Sequence, residues 1–337
     1  MDSFDRVFSS LKNQFVDRPP VFPHIGDHAG LLQGLTYDIM YKDAKKAADA
    51  HIRTLDLYGY DFIEIQVEPS FSIVEACGAE VLYPKDKNPW IVKHFIQKEE
   101  DLEKLEIPDF METLSTEVMI EGTQILADEG NAPVVAFMTG PLTFSFQLMS
   151  YKEIFLNIKR NPDFIHRLVS KSVSVIRAYV GMLKAAGAQV LVICEHDLQM
   201  VPPIIMKEFC LDYLPDILKI YDYNIFHLCG KVMPHLNFIA KDLQKLKQIN
   251  ILNIGPNLGI NETQRLLNNK IGIAGNIDHK KLLPNGTPDQ IENAVKYAIK
   301  DSEGDFRFMI APGCEITSDT PVENVKAFVK AAQTYHR

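Results

Sequence analysis

Eight short apolar runs, each followed by helical or charged amphipathic sequence, predict an α/β protein, and eight such units in 337 residues predict a (β/α)8 TIM barrel with a helical N-terminal extension. No G-x-G-x-x-G follows any of the runs, which disfavours an open doubly wound sheet. An apolar content of 46% allows the core that such a barrel needs. The whole chain, 1–337, reads as one barrel domain, with 1–18 as its N-terminal helical segment.

Each element follows from local pattern. Residues 1–18 read as one helix or two short ones, stopped at Arg18-Pro19-Pro20. The first strand, 21–25, feeds a loop of Gly26, Asp27, His28, Ala29 and Gly30. Helix formers at helical spacing fill 41–57 before Gly59, and 61–67 (DFIEIQV) is the second strand. The segment 69–109 is the least regular, and its charged run KEEDLEKLEIPD reads as a solvated helix. Helix 111–129 leads to strand 133–138, which ends in Thr139-Gly140-Pro141. Asn161-Pro162 caps a helix running to Gly187, and strand 189–194 is followed by Glu195, His196 and Asp197. Helix 207–221, strand 224–228, helix 232–247, strand 249–254 and a short helix at 263–269 follow. Strand 271–274 runs into Gly275-Asn276-Ile277-Asp278, and helix 287–300, strand 306–310 and helix 321–334 complete the pattern.

Composition excludes several classes of function. A formal charge of -9 argues against nucleic acid or an anionic membrane as the main partner. No run of eighteen apolar residues lacks a charge, and the amphipathic N-terminus has no signal-peptide pattern. Five scattered cysteines, at 77, 194, 210, 229 and 314, suit a reducing compartment better than a disulfide framework. A cytoplasmic protein is expected.

The chemistry-bearing residues gather at predicted strand ends, where (β/α)8 barrels place their reacting groups. Residues 224–230 read NIFHLCG, and side chains alternate along a strand, so His227 and Cys229 share a face. The last strand, RFMIAPGC, delivers a second thiol, Cys314, to the same rim. Two sulfurs and one imidazole suit zinc, and three protein ligands leave one tetrahedral position open, the arrangement of a catalytic site. Glu195 and Asp197 are candidates for a fourth ligand or a base beside the metal. His24 inside the first strand, Asp27 and His28 after it, Glu68 after the second, and Thr139, His196, Asn276, Asp278 and Glu315, with Cys229 and Cys314, make the rim rich in acids, imidazoles and thiols. With almost no Arg or Lys, it is a cation or metal site before it is a phosphate site. Cys77 and Cys210 are expected in the core, while Cys194 lies next to the rim.

Several motifs together carry a family likeness. H-x-C-G at 227–230, A-P-G-C at 311–314 with T-P at 320–321, G-N-I-D at 275–278, N-G-T-P at 285–288, T-G-P at 139–141 and L-E-K-L-E-I-P-D at 102–109 resemble the uroporphyrinogen decarboxylase superfamily. Within it the resemblance is to the branch of methylcobalamin:coenzyme M and related corrinoid-dependent methyltransferases, and it covers about residues 17–335.

That resemblance implies a zinc site at His227, Cys229 and Cys314, while their places at the strand ends put His24, Asp27, His28, Thr139, His196, Asn276 and Asp278 toward the substrate. It implies methyl transfer between a corrinoid, carried by a separate small protein, and a zinc-activated acceptor, a thiol such as coenzyme M. Tetrahydrofolate as acceptor, or the reverse reaction with a small methyl donor, is compatible with the same site. The superfamily's decarboxylases grip substrate carboxylates with an Arg-rich N-terminal motif, whereas this loop reads PHIGDHAG, without arginine. Coenzyme M methyltransferases tend to carry D-P-x-A-S after the fourth strand, where this chain has Glu195-His196-Asp197-Leu198-Gln199. The departures concern loops facing the acceptor. The remaining alternatives are a cofactor-free decarboxylase and a barrel that holds zinc or a corrinoid without turnover.

Overall fold

The computed structural model describes residues 1–65 and 70–335. Its strands are β1 (Ile63–Glu64), β2 (Glu80–Leu82), β3 (Trp90–Lys93), β4 (Val134–Thr139), β5 (Val190–Glu195), β6 (Asn224–Leu228), β7 (Ile251–Asn253), β8 (Gly272–Ile277) and β9 (Met309–Pro312). Seven of them form one parallel sheet in the order β1-β4-β5-β6-β7-β8-β9, while β2 and β3 make a separate antiparallel pair. The gap between β9 and β1 is closed by backbone at residues 20–22. Ile310 N–H donates to Pro20 O and Phe22 N–H to Ile310 O, both at 2.9 Å, while Asp61 N–H donates to Val21 O at 2.9 Å. The expected first strand is thus a single bridge, Val21 to Ile310, sufficient to complete an eight-membered TIM barrel.

Side-chain parity then sorts the strands into two faces. Phe22, Phe62, Val135, Phe137, Val192, Cys194, Ile225, Ile251, Ala274, Met309 and Ala311 cluster together, the inward positions of successive strands. Their alternate neighbours, Ile63, Ala136, Leu191, Ile193, Phe226 and Leu252, pack outward against the helices. Val7 and Leu11 of the helix Ser3–Leu11 join the inner cluster, so this helix plugs the N-terminal mouth. It is tied there through Asp61, which accepts from Arg6 Nη1 at 2.8 Å, Arg18 Nη1 at 2.6 Å and Val21 N–H at 2.8 Å. The opposite mouth is left for chemistry.

The structure revises several expected elements. The helix expected at 207–221 starts earlier, at Pro203–Met206, passes through a π turn at Lys207–Leu211 and restarts at Leu214–Leu218. Pro215 has no N–H for the Leu211 carbonyl, which breaks a continuous helix at that point. The helix expected to run to 247 is Met233–Lys241 and then gives way to turns. Asp27–Leu32 is a helix where a loop is expected, and Ser70–Ala76, Pro141–Leu148 and Tyr151–Arg160 are further helices beyond those the apolar pattern predicts. The charged run after Gln97 is a 3-10 helix, Glu99–Lys104, with its acids mostly exposed. No helix among the described residues is long and apolar enough to cross a membrane.

Candidate metal centre

Parallel pairing puts Cys194, His227, Asn253 and Ala274 side by side on β5 to β8, since Cys194 pairs with His227, His227 with Asn253, and Asn253 with Ala274. All stand at the upper, C-terminal end of the barrel. Just past β6 the chain turns through Gly230, whose φ of +85° is the left-handed region. A Cβ there would also meet Gln199 Oε1 at 2.6 Å, so glycine lets the loop fold back behind Cys229. β9 ends at Pro312, and Gly313 packs against Gly255 and Pro256, which brings Cys314 across to Cys229.

The ligand atoms of His227, Cys229 and Cys314 all lie within 4.8 Å of one another. The two sulfurs are 3.9 Å apart. Sulfurs held about 2.3 Å from one zinc ion at tetrahedral angles stand roughly 3.8 Å apart, so the pair already has the right span. His227 Nδ1 donates to Asn253 Oδ1, and Asn253 Nδ2 in turn donates to Ala274 O at 3.1 Å and Pro312 O at 3.4 Å, which fixes its oxygen toward the imidazole. His227 Nε2 is buried and has no hydrogen-bond partner of normal geometry among the described residues. A buried imidazole nitrogen left unpaired, beside two thiols, fits a soft divalent metal.

Electrostatics agree with the geometry. The thiol of Cys314 donates to Cys229 and holds it well below the ordinary thiol range, against its burial, with His196 and His227 adding to the effect. Cys314 is pushed up correspondingly by that same bond and by burial. His227 rises to about 10: burial works against the rise, and the neighbouring Cys194 and Cys229 outweigh it. Without metal the site therefore stores protons, which a zinc ion displaces on binding. His24 donates from Nε2 to the same Asn253 oxygen at 3.1 Å, and burial together with His227 keeps it well below its usual range, hence neutral.

The other expected residues divide by position. His196 reaches Cys194 Sγ with Nδ1 at 3.4 Å and acts on Cys229, so it belongs to the centre. Thr139 pairs in register with Cys194, and its buried hydroxyl has no partner among the described residues. Asp27 lines a cavity that Cys314 also lines. Glu195 is turned away from the triad, because its parity on β5 is opposite to that of Cys194. Its carboxylate accepts from Leu142 N–H, Thr143 N–H and Thr143 Oγ1 at 3.0, 2.8 and 2.7 Å, at the start of the helix Pro141–Leu148. Asp197 accepts from Tyr151 Oη at 3.0 Å, and Asp278 caps the turn at Lys280 and Lys281. His28 spends both ring nitrogens, on Tyr58 Oη and Ser318 O, and Asn276 donates to Leu258 O. Glu68 lies outside the described residues. Cys77 and Cys210 are buried as expected, Cys210 beside Glu195.

Three residues at or near the centre were not singled out in the sequence: Asn253, Glu64 and His279. Parity carried the signal for the first two, since each is the polar member of an apolar strand on the inward face. Glu64 is fully buried and accepts from Ile25 N–H at 2.9 Å.

The Uroporphyrinogen decarboxylase (URO-D) family profile matches residues 2–335. The methylcobamide:CoM methyltransferase MtbA of Methanosarcina acetivorans is 23% identical over 98% of this chain and 97% of its own length. The uroporphyrinogen decarboxylase of Coxiella burnetii is also 23% identical, over 98% of this chain and 95% of its own. A methyltransferase from Methanosarcina mazei superposes with a TM-score of 0.89 at 22% identity, covering 99% of this chain and 98% of that one. Identity alone leaves the two activities level, but the shared fold and the near-complete match decide the lineage, and the chain belongs to the uroporphyrinogen decarboxylase family.

Proposed function

We propose that this protein is a zinc-dependent methyltransferase that moves a methyl group between a corrinoid, presented by a partner protein, and a small thiol. The observation that carries the reading is the convergence of the ligand atoms of His227, Cys229 and Cys314 within 4.8 Å at the C-terminal mouth. A cofactor-free decarboxylase needs no such set.

The three ligands would hold the ion, and Asn253 would aim His227 at it. Zinc supplies a Lewis acid that keeps a bound thiol deprotonated near neutral pH, where a free thiol of pKa near 8.5 is mostly protonated. A thiol deprotonated at the ion would accept the methyl group with its proton passing to solvent, and the corrinoid would supply that methyl group and retain the bonding electron pair. The N-terminal helix seals the far end of the barrel, so reactants enter from the mouth that carries the sulfurs.

Metal analysis joined to an absorbance assay of methylcobalamin against a panel of thiols tests this. The expected result is about one zinc per chain and methylcobalamin loss with thiol present, with Cys314→Ala and His227→Ala losing most of both. Full metal content in both variants, or undiminished turnover in the presence of a chelator, would sink the reading.

A further inference from the structure

A cavity of about 330 Å³ opens beside the metal centre and is lined by Asp27, Asn88, His279, Lys280, Cys314 and Glu315 among others. Two of its buried polar atoms, Asp27 Oδ1 and His279 Nδ1, have no hydrogen-bond partner among the described residues. An unpaired buried carboxylate oxygen is costly to maintain, so a donor belongs beside it.

The carboxylate is held in place. Its Oδ2 accepts from Asn88 Nδ2 at 3.0 Å, and its own N–H donates to Glu315 Oε1 at 2.9 Å. Gly26, with φ of +48°, lets the first loop press so close to Glu315 that a Cβ would fall 1.8 Å from Oε1. The first loop is thereby locked against the residue after Cys314. Cys314 lines the cavity and its sulfur stands 3.9 Å from that of Cys229, so the cavity and the sulfurs adjoin.

Charge in this space is graded. Asp27 is only 7% exposed, and Glu315 is half-buried, whereas Lys280 stands exposed at the edge. The inner end is thus anionic and the outer end cationic. A sulfonate or carboxylate at the inner end would face two like charges, while a protonated amine would meet an unpaired acceptor.

We propose that this cavity receives the ammonium group of the methyl-accepting thiol, with Asp27 Oδ1 as its acceptor, so that the substrate class is a small aminothiol rather than an anionic thiol. The inference rests on the zinc-thiol reading above. Its test separates the two.

Cobalt(II)-substituted protein is titrated with cysteamine, 2-mercaptoethanol and 2-mercaptoethanesulfonate, three thiols of matched length, and the thiolate-to-cobalt charge-transfer band is followed. Cysteamine should bind about tenfold more tightly than 2-mercaptoethanol, with the sulfonate weakest. In Asp27→Asn the cysteamine preference should shrink to about twofold or less. In parallel, metal-free wild-type protein is titrated with ethanolamine and with ethanesulfonate while the Asn88 side-chain amide is observed by NMR, and only the amine should shift it. If no thiol alters the cobalt spectrum, the zinc-thiol reading fails, and the amine titration still decides the cavity. If the sulfonate binds best, if the preference survives Asp27→Asn, or if ethanesulfonate shifts Asn88 in place of the amine, the aminothiol assignment is overturned with the metal reading intact.

Discussion

An imidazole binds a metal through one nitrogen, and what the other touches decides how firmly the first is aimed. Here that other contact is Asn253, whose oxygen accepts from both His227 and His24 and whose amide is pinned by Ala274 O and Pro312 O. Asn253→Ala removes the acceptor and frees the His227 ring to tilt. Zinc affinity should fall about 10–100-fold, measured by competition with a chromophoric chelator, while the fold is retained. Unchanged affinity would show that β6 alone aims the ring. At this scale strand parity made His227 and Cys229 legible together, and a Pro-Gly strand end announced Cys314. It did not decide between neighbours such as Cys194 and Glu195. Only one of the two faces inward, and which one depends on where β5 starts, a matter of one residue that apolar content in QVLVIC does not fix. Asn253 is not legible in the same way, because a polar residue in a buried strand has meaning only once its cross-strand neighbours are known.

Elements were legible where an apolar face repeated and obscure where a few hydrogen bonds did the closing. The strand at 224–228 and the capped helix from Pro162 emerge as expected, whereas Val21 contributes only one bridge, since Pro23 has no N–H to extend the pairing and His24 turns the chain at a φ of +50°. The N-terminal helix shows what such small contacts hold. Asp61 binds Arg6, Arg18, Ser3 Oγ and the Val21 backbone, and it is itself fully buried. Removing its charge leaves the nearly buried Arg18 guanidinium without a carboxylate and Arg6 with Asp17 alone, and loosens the plug over Val7 and Leu11. Asp61→Asn should therefore cost about 3–5 kcal/mol of stability, read from urea denaturation. A loss below about 1 kcal/mol would mean the ion network is no more than a surface pair in its energetics.

At the scale of the whole molecule, the eightfold repetition of apolar run and amphipathic helix made the barrel readable, but the cost of the charges inside it depends on a burial that no composition reports. Glu64 is fully buried, and its carboxyl is pushed up to about 7 by that burial, even though Ile25 N–H and Gly26 N–H pull the other way. Asp27 rises to about 6, again by burial and against its bond from Asn88. A carboxyl whose folded value lies above its unfolded value contributes stability that is fully present below the unfolded pKa, near 4.5 for Glu64, and is lost as pH rises through 7. Asp17 has the opposite sign: Arg6 holds it low despite burial, so its contribution is lost only as pH falls below about 3.8, outside the window in question. Glu64 should therefore withdraw about 3 kcal/mol of stability between about pH 5 and pH 8.5, while His24 and His51, kept neutral by burial, add stability as pH rises toward 6.5, so the Glu64 contribution is read by comparison with a variant. Glu64→Gln carries no titrating charge and keeps an oxygen for the Ile25 N–H, so its denaturation midpoint should fall less over that range. The two proteins should be nearly equal at pH 5, with the variant the more stable at pH 8.5. Parallel pH profiles would place the ionised Glu64 in an environment no more costly than water, and the inner barrel would then have to be wet at that level.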